Sequence, residues 1–451
     1  MESGDLIDLD ITGVAHGGVF VGRHEGRVVF VPDAIPGERV RVRLTDTSKK
    51  AFWRGETLEI LDASPHRRPH VWRQADVDVP PDQRPGGADF GHIDLAHQRA
   101  LKVQVISDAL HRIGGLQLTV GLEQAHEIAA PEGDVIAGES ADGTGWRTRV
   151  SLHVDDEGRV GPYAARSHRV IPVADLPLAT PAVERVALGA TGAAGRIDLV
   201  QPADGRVCVI PRPERGRGRR GPVRGSTRAH ADPARETVIE TVDGRDFRVD
   251  AGGFWQVHRL AAHSLTSIVR GQLRNLREDG PIPHTGGAFI DPDARHLDLY
   301  GGVGLFAATL ASLAGPGARV TTVESDARAT EHAGENLAEW VGARAETGRV
   351  DRWLDRLIAE ASVAERERMT RGVVLLDPPR SGAGREVVDR IAALEPETVV
   401  YVACDPVALA RDLATLRDAG YEAPAVHAVD LFPNSHHVEA VAVLGRTRPR
   451  G

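Results

Sequence analysis

The chain has 451 residues, of which 41% are hydrophobic and 26% are charged, and its formal net charge is −9. This length is too great for one ordinary core, so we expect two or three domains in a globular protein. No apolar run approaches the roughly 20 residues that span a bilayer, and the acidic start lacks a signal-peptide pattern. Two cysteines exclude a disulfide framework and a cysteine-rich metal site. We therefore expect a cytoplasmic protein without a membrane partner.

The first segment, residues 1–63, alternates apolar and polar residues between glycines. This pattern predicts short strands that close into a small β-barrel. We interpret Phe20 and Phe30 as core residues. Phe52 and Trp53 follow two lysines in a polar context, so core packing and stacking on bases remain equal alternatives for them.

The next segments alternate between irregular and regular structure. Residues 64–94 are rich in proline, histidine and arginine, but their histidine spacing does not fit a zinc site. A helix is predicted over 95–114, with Gly114 as its stop. Residues 127–250 read mostly as strands, interrupted by an arginine–glycine tract at 212–230. That tract is either a phosphate-binding insertion or a solvated loop.

From about residue 296 the pattern alternates short apolar strands with lengths of chain typical of helices. The strands are "HLDLY", "ARVTTVE", "GVVLLD" and "TVVYVAC", followed by "HHVEAVAVL" near the end. This order predicts an α/β domain with a mostly parallel, Rossmann-like sheet.

A glycine loop follows the first of these strands. Gly302 and Gly304 stand between a strand and a helix, where glycines let the backbone approach a ligand. Glu324 ends the next strand and is placed to accept hydrogen bonds from ribose hydroxyls. NAD and S-adenosylmethionine both contain that ribose, so these two signals leave the cofactor open.

Two later strands end in reactive groups. Asp377 closes a strand and opens "DPPRSG", a loop typical of methyltransferases that act on planar bases, which favours S-adenosylmethionine over NAD. Cys404 precedes Asp405 and Pro406, which are suited to begin a helix. The positive end of that helix is expected to favour the thiolate. The alternative for Cys404 is a small buried hydrophobic residue.

Glu439 lies in an otherwise apolar stretch, where an ionised carboxylate needs a partner or a task. A thiolate and a carboxylate beside a methyl donor suit methylation of carbon 5 of uracil. Adding Cys404 to carbon 6 makes carbon 5 nucleophilic, and a base must afterwards remove the carbon-5 proton. We therefore assign Cys404 as the candidate nucleophile and Glu439 as the candidate base.

Together these motifs resemble those of the bacterial and archaeal RNA uracil-5 methyltransferases that carry an N-terminal TRAM barrel, over essentially the whole chain. "DLYGGVGLF" resembles the family's glycine motif, with Gly301 where the family usually has cysteine. "FWQVH" resembles its FxQVN motif, with His258 in place of asparagine. "DPPRSG", "ACDP" and "FPNSHHVEAVAVL" match the aspartate loop, the cysteine loop and the glutamate segment. The resemblance implies these cofactor contacts: Gln256, Tyr300, Gly302, Gly304, Glu324 and Asp377, the last also a candidate catalytic residue.

The chain departs from the family in one respect. Many members hold an iron–sulfur cluster with four cysteines, but Val79, Pro85, Ala88 and Leu176 stand at the corresponding positions here. Thiolates are required to hold such a cluster. We therefore expect neither an iron–sulfur cluster nor another metal.

The resemblance implies three domains: a TRAM, OB-like barrel at 1–63, a β-rich RNA-binding domain at 64–94 and 127–250, and a methyltransferase domain at 95–126 and 251–451. We expect a monomeric enzyme that makes 5-methyluridine in ribosomal or transfer RNA. One alternative is an RNA-binding protein or chaperone with a vestigial methyltransferase domain, which the intact site disfavours. Cytosine-5 methylation is disfavoured because the Pro-Cys motif typical of those enzymes is absent.

Overall fold

A computed structural model describes residues 1–129, 135–165, 167–214, 232–278 and 290–447, except the side chains of 135, 136 and 275–278. The N-terminal strands form a closed barrel in the order β1-β2-β3-β5-β4, which confirms the predicted barrel. These strands are β1 Leu6–Ala15, β2 Val19–His24, β3 Arg27–Val31, β4 Arg39–Asp46 and β5 Phe52–Asp62. Side chains along β1 alternate between exposed and buried, as expected when one face of a strand lines a core.

The barrel aromatics divide differently from the sequence interpretation. Phe20 is fully buried, as predicted, and Trp53 is only 2% exposed, so its stacking alternative is wrong. Phe30 and Phe52 are half-buried and meet edge to face, with ring centroids 5.6 Å apart. Successive side chains of a strand point to opposite faces, so Trp53 enters the core while Phe52 faces outward.

Residues 64–94 after the barrel are mostly irregular, as predicted, and are followed by α1 Leu95–Arg112 and β6 Thr119–Gln124. Asp94 caps α1, since its carboxylate accepts a hydrogen bond from the His97 amide at 2.8 Å. Leu101 of α1 packs into the barrel core, whereas Ile106 and Leu110 pack into the core of the C-terminal sheet. The helix is thus shared by two hydrophobic cores.

The middle of the chain is mainly β, as predicted. Its elements are β7 Ile128–Ala129, β8 Val135–Ala137, β9 Arg149–Val154, β10 Val160–Gly161, α2 Pro181–Leu188, β11 Gly195–Val200, β12 Cys208–Pro213, β13 Thr237–Val242 and β14 Arg245–Asp250. Strands β10-β9-β11-β12 form one antiparallel sheet, and β13 and β14 form a hairpin. The hairpin shares a hydrophobic core with the C-terminal sheet. Of the arginine–glycine tract, residues 215–230 lie outside the described residues.

The C-terminal part has the predicted α/β order. It comprises α3 Ala261–Glu278, β15 Arg295–Leu299, α4 Leu305–Ala314, β16 Arg319–Glu324, α5 Ala327–Asn336, β17 Arg344–Thr347, α6 Val350–Glu360, α7 Val363–Thr370, β18 Val373–Leu376, α8 Arg385–Ala393, β19 Thr398–Ala403, α9 Pro406–Asp418, β20 Tyr421–Glu422, β21 Ala425–Asp430 and β22 Glu439–Arg446. Its sheet has the order β17-β16-β15-β18-β19-β22-β21-β6, with β20 beside β22. Strands β15 to β19 pair in parallel, and β22 runs antiparallel to β19, β21 and β20.

This topology gathers the candidate residues at one edge. The loops after β15, β16, β18 and β19 leave the carboxyl ends of parallel strands, where open α/β sheets bind ligands. Strand β22 enters the sheet at that same edge because it is antiparallel. Among the helices that the structure describes, none is long and apolar enough to cross a membrane.

Candidate active site

A cleft of about 1330 Å³ lies at the carboxyl edge of the sheet, between the C-terminal domain and the middle of the chain. It brings together these predicted residues: Gln256, Tyr300, Gly302, Glu324, Asp377, Cys404 and Glu439. Gly304 does not line the cleft. It is the N-cap of α4, at φ +88°, where its lack of a side chain permits the left-handed backbone.

The glycine loop and the end of β16 are joined by a hydrogen bond. The Gly302 amide donates to a carboxylate oxygen of Glu324 at 3.2 Å, and the Asp326 amide donates to the other at 2.8 Å. Gly302 adopts φ +54°, and a Cβ built on it would lie more than 4 Å from every atom other than those of its neighbours in the chain. Tyr300 also has a positive φ, 63°, which is uncommon for an aromatic residue and typical of functional sites.

Gly301 leaves space that a neighbouring strand fills. A Cβ at this position would lie 1.9 Å from the Thr322 hydroxyl and 2.5 Å from an Asp298 carboxylate oxygen. The Thr322 hydroxyl donates to that same oxygen at 3.1 Å, as does the Ala307 amide at 3.0 Å. Gly301 stands where the family usually has cysteine. Because glycine has no side chain, the Thr322 hydroxyl and the Asp298 carboxyl can meet beneath the loop.

The segment that contains Gln256 is half-buried at the cleft and held from the central sheet. Arg149 of β9 donates to the carbonyl oxygens of Ala251 and Gly253, at 3.1 and 2.9 Å. His258 is 2% exposed and stacks on Trp146 with centroids 5.3 Å apart. Burial lowers the pKa of His258 to about 3, so the ring is neutral at physiological pH.

Two carboxyls under the cleft have unusually high pKa values. Burial raises the pKa of Asp298 to about 7, and burial together with Asp298 raises that of Asp377 to about 7. Sequence reasoning selected Asp377 and missed Asp298. The sequence did contain a signal for Asp298. Like Glu439, it is a carboxylate inside an apolar strand, and this argument had selected Glu439.

Cys404 is half-buried at the end of β19, and it remains a thiol. Burial, followed by the carboxyls of Glu439 and Asp377, raises its pKa to about 12. The expectation of a thiolate favoured by the helix end is wrong for this arrangement. The Asp405 carboxylate itself caps α9, accepting from the Val407 and Ala408 amides at 3.0 and 2.9 Å, so negative charge already occupies that helix end.

Glu439 is the first residue of β22 and is 8% exposed. The antiparallel register ends with the pair Ala403 and Ala440, so Cys404 directly follows one member of this pair and Glu439 directly precedes the other. Their closeness also shows in the pKa of Cys404, which the Glu439 carboxyl raises. Burial and then Asp377 raise the pKa of Glu439, while Arg380 lowers it.

Sequence reasoning did not single out the cations and imidazoles around this pair. Arg380 lies in the loop after Asp377, and its charge acts to lower the pKa of both Cys404 and Glu439. A guanidinium nitrogen of Arg380 lies 3.3 Å from a ring nitrogen of His437. His16, in the barrel loop after β1, reaches Asp405 at 3.2 Å. Such contacts join residues distant in sequence, which local patterns do not reveal.

The cleft suits S-adenosylmethionine. It has room for a nucleoside, an open position above Gly302 and the Glu324 carboxylate at the end of β16. The residues at the cluster positions do not fit an iron–sulfur cluster. Ala88 and Leu176 pack with Trp72 in a buried apolar core, and the described residues contain no group of three or more possible metal ligands.

Comparison with known proteins agrees with this geometry. The TRAM domain family model matches residues 2–58, and the tRNA (uracil-5-)-methyltransferase model matches residues 357–447. A Streptomyces avermitilis protein described as an uncharacterized RNA methyltransferase is 37% identical over 98% of both chains. A Bifidobacterium longum protein with the same description is 35% identical over 97% of this chain and 96% of its own.

Among solved structures, the Pyrococcus abyssi tRNA (uracil-54, C5)-methyltransferase in complex with S-adenosyl-L-homocysteine superposes with a TM-score of 0.64. It is 20% identical to this chain and covers 97% of it and 100% of its own length, so it shows a common fold. The chain belongs to the S-adenosylmethionine-dependent RNA (uracil-5-)-methyltransferases that carry a TRAM domain.

Proposed function

We propose that this enzyme methylates carbon 5 of a uridine through a covalent bond between Cys404 and carbon 6 of the base. The proposal is supported by the pairing of β19 with β22, because Cys404 and Glu439 flank its last pair, Ala403 and Ala440, at the wall of the cofactor cleft. A nucleophile and a base must reach adjacent carbons of one ring, and neighbouring positions on paired strands meet that requirement.

The chain's residues would act in the following order. The Cys404 sulfur bonds to carbon 6, the carbon 5–carbon 6 double bond opens, and electron density moves to carbon 5 and the neighbouring carbonyl. S-adenosylmethionine, when bound, supplies the electrophilic methyl group that carbon 5 takes. The Glu439 carboxylate then removes the carbon-5 proton, the double bond re-forms, and Cys404 leaves.

The thiol proton also needs an acceptor, because the pKa of Cys404 is raised to about 12. We assign this task to Asp377, whose pKa of about 7 is suited to a general base at neutral pH. Arg380 favours the charged forms of Cys404 and Glu439. We propose Gln256, Tyr300, Gly302, Glu324 and Asp377 as cofactor contacts, with Gly304 acting through the turn into α4.

The domains would have different functions. We propose that methyl transfer takes place in the domain formed by 95–126 and 251–451. RNA would be bound by the barrel at 1–63 and by the segments 64–94 and 127–250. Strand β6 supports the first part, since it pairs with β21 at the edge of the catalytic sheet. Transfer RNA is the substrate to test first, because the matching family model and the Pyrococcus abyssi relative both bear that name; ribosomal RNA is the other candidate.

The mechanism predicts different behaviour for two variants incubated with S-adenosylmethionine and RNA from a strain that lacks the gene. Cys404→Ala should form no adduct and transfer no methyl group. Glu439→Gln should add Cys404 and accept the methyl group, then stall, because the carbon-5 proton cannot leave. Denaturing electrophoresis with a tritiated methyl donor should therefore show a labelled protein–RNA band for Glu439→Gln alone.

Cys208→Ala is the matched control, because Cys208 is the other cysteine and lies in β12, outside the residues that line the cleft. It should turn over like the wild type. A Glu439→Gln enzyme that loses stability yet turns over normally in its folded fraction would remove Glu439 from the mechanism. An adduct in Cys404→Ala would remove Cys404.

The proposal also includes the absence of an iron–sulfur cluster, since valine, proline, alanine and leucine supply no thiolate. Protein purified without oxygen should contain iron far below one atom per chain by elemental analysis. Stoichiometric iron with acid-labile sulfide would contradict this expectation.

A further inference from the structure

The outer face of the barrel carries a group of side chains that the reaction does not use. Lys49 and Lys50 are exposed in the loop between β4 and β5, and Phe52 and Arg54 follow at the start of β5. The Arg54 guanidinium carbon lies 5.8 Å from the centre of the Phe52 ring. We call these four residues the barrel patch.

The barrel patch borders a cavity of about 910 Å³ between the barrel and the central domain. Phe30, Phe52 and Arg54 line one side, and Ser167 and Arg169 line the other. This volume lies within the range of pockets that hold whole small ligands, about 300–1,000 Å³. An aromatic ring half-buried at the wall of such a cavity offers a stacking surface for a planar group.

This cavity connects with the active site through the barrel loop after β1. His16 and Gly17 line it, and both also line a small cavity that contains Cys404 and Arg380. That small cavity in turn shares Cys404 and Arg380 with the cofactor cleft. Cavities that share lining residues adjoin one another, so a series of three adjoining cavities, which we call the groove, extends from Cys404 to Phe52.

The charges along the groove favour an anionic chain at the barrel patch. The neighbouring carboxylates bind cations of their own: Asp33 pairs with Arg84 at 2.7 Å, Glu56 with Arg43 at 2.8 Å and Asp82 with Arg169 at 3.1 Å. Asp46 is the remaining acidic group in the cavity wall. None of the ion pairs within the described ranges uses Lys49, Lys50 or Arg54. The charges of Arg54 and Lys49 help to lower the pKa of Asp46, so the three cations of the patch face one carboxylate that no other cation pairs with.

We infer that the barrel patch binds an unpaired nucleotide of the RNA substrate, near the target uridine in the chain. Its base stacks on Phe52, and the adjoining phosphates lie against Lys49, Lys50 and Arg54. Aromatic stacking combined with a basic groove is how proteins hold single-stranded nucleic acid. This inference rests on the proposed function, since it takes the base at Cys404 to belong to the same RNA.

The first test measures binding of the full chain to a fluorescent single-stranded oligouridylate of about ten nucleotides, within the site size of an OB-type fold. Phe52→Ala should weaken binding by about 5- to 100-fold, and Phe52→Tyr should retain it because tyrosine keeps the ring. Leu6→Ala is the matched control, an exposed aliphatic residue of the barrel outside the cavity. Titration with S-adenosylhomocysteine should give the wild-type affinity for all three variants.

The second test separates charge from stacking. Replacing Lys49 and Lys50 by alanine should reduce the slope of log affinity against log salt by about 0.7 for each phosphate that the two lysines neutralise in the wild type. Phe52→Ala should leave that slope unchanged. An oligouridylate containing 4-thiouridine should cross-link within residues 49–54 when irradiated.

The outcomes distinguish this inference from the proposed function. Wild-type oligouridylate affinity in Phe52→Ala, with no cross-link at 49–54, would overturn the subsite and leave the patch to a protein partner, even if methyl transfer is intact. Weaker binding in Phe52→Ala and a cross-link at 49–54 would support the subsite even if the wild type transferred no methyl group to uridine, a result that would overturn only the proposed function.

Discussion

At the residue scale, the site consists of acidic groups held where ionisation is costly. Asp298 and Asp377 have pKa values of about 7, and the pKa of Glu439 is also raised. Cys404, beside them, has a pKa of about 12. Buried groups with pKa values displaced in this way are typical of sites where protons are exchanged.

These pKa values predict how stability depends on pH. An Asp whose folded-state pKa is raised stabilises the fold fully below its unfolded value of about 4, and this contribution is lost as pH rises through about 7. Asp298→Asn removes one such group and lowers the pKa of Asp377, while its amide oxygen can still accept hydrogen bonds from Ala307 and Thr322. We therefore compare the free energy of unfolding of the variant with that of the wild type at two pH values. The difference should shift in favour of the variant from about pH 5 to about pH 8, by on the order of 3 kcal/mol.

Denaturant unfolding at both pH values measures this gain. Asp293→Asn is the control, because the Asp293 side chain is 78% exposed, and it should track the wild type at both pH values. Equal pH dependence in Asp298→Asn and wild type would show that Asp298 titrates normally.

At the element scale, separate strands hold the two sides of the cleft. The candidate nucleophile follows β19 and the candidate base begins β22, whereas the Gln256 segment is held by Arg149 from β9 of the central sheet. Arg149 is also paired with Glu240 of β13 at 3.0 Å. One guanidinium thus connects the central sheet, the β13–β14 hairpin and the candidate cofactor segment.

This arrangement predicts a positioning role for Arg149. Arg149→Lys keeps the charge but cannot reach two carbonyls and a carboxylate at once. Losing one or two charge-assisted hydrogen bonds, worth about 1.5–3 kcal/mol each, should raise the KM for S-adenosylmethionine tenfold or more and change kcat much less. Steady-state kinetics with saturating RNA measures both constants.

Arg196→Lys is the matched control, since Arg196 lies on β11 with a side chain 47% exposed and an ion pair to Asp198. It should leave KM unchanged. If Arg149→Lys lowered only the active fraction, with KM as in wild type, Arg149 would have a purely structural role.

At the scale of the whole molecule, the buried Arg84 joins the irregular segment 64–94 to the barrel. Arg84 donates to the carbonyl oxygens of Val77 and Val79 at 2.6 and 2.7 Å. It also donates to the Thr57 carbonyl at 3.1 Å and pairs with Asp33 of the barrel at 2.7 Å. The hydrogen bonds and the ion pair of one guanidinium thus connect this segment to the barrel.

Removing this guanidinium should loosen the barrel. Arg84→Met keeps the apolar stem, and breaking a buried ion pair should lower the unfolding free energy by about 3–5 kcal/mol. Amide hydrogen exchange should quicken at Val79 and along β5. Arg73→Met is the control in the same segment, because Arg73 forms an exposed pair with Asp78, and its effect should stay within about 0.5 kcal/mol. Equal destabilisation of both variants would refute a special role for Arg84.

The sequence by itself determined the barrel, the order of the α/β strands and most of the cleft residues. Each depends on local signals: alternation along strands, glycines between a strand and a helix, and polar groups at the ends of apolar strands. Since parallel strands share a carboxyl edge, the sequence alone predicts that Gly302, Glu324 and Asp377 lie close together.

Only the tertiary structure decided the rest. The outward direction of Phe52, the protonated state of Cys404, and the contacts of Arg84, Arg149 and His16 depend on what lies opposite each residue. The adjacency of Cys404 and Glu439 likewise follows from the pairing of β19 with β22. Burial and charge act through space, and a linear pattern does not contain the distances between segments far apart in the chain.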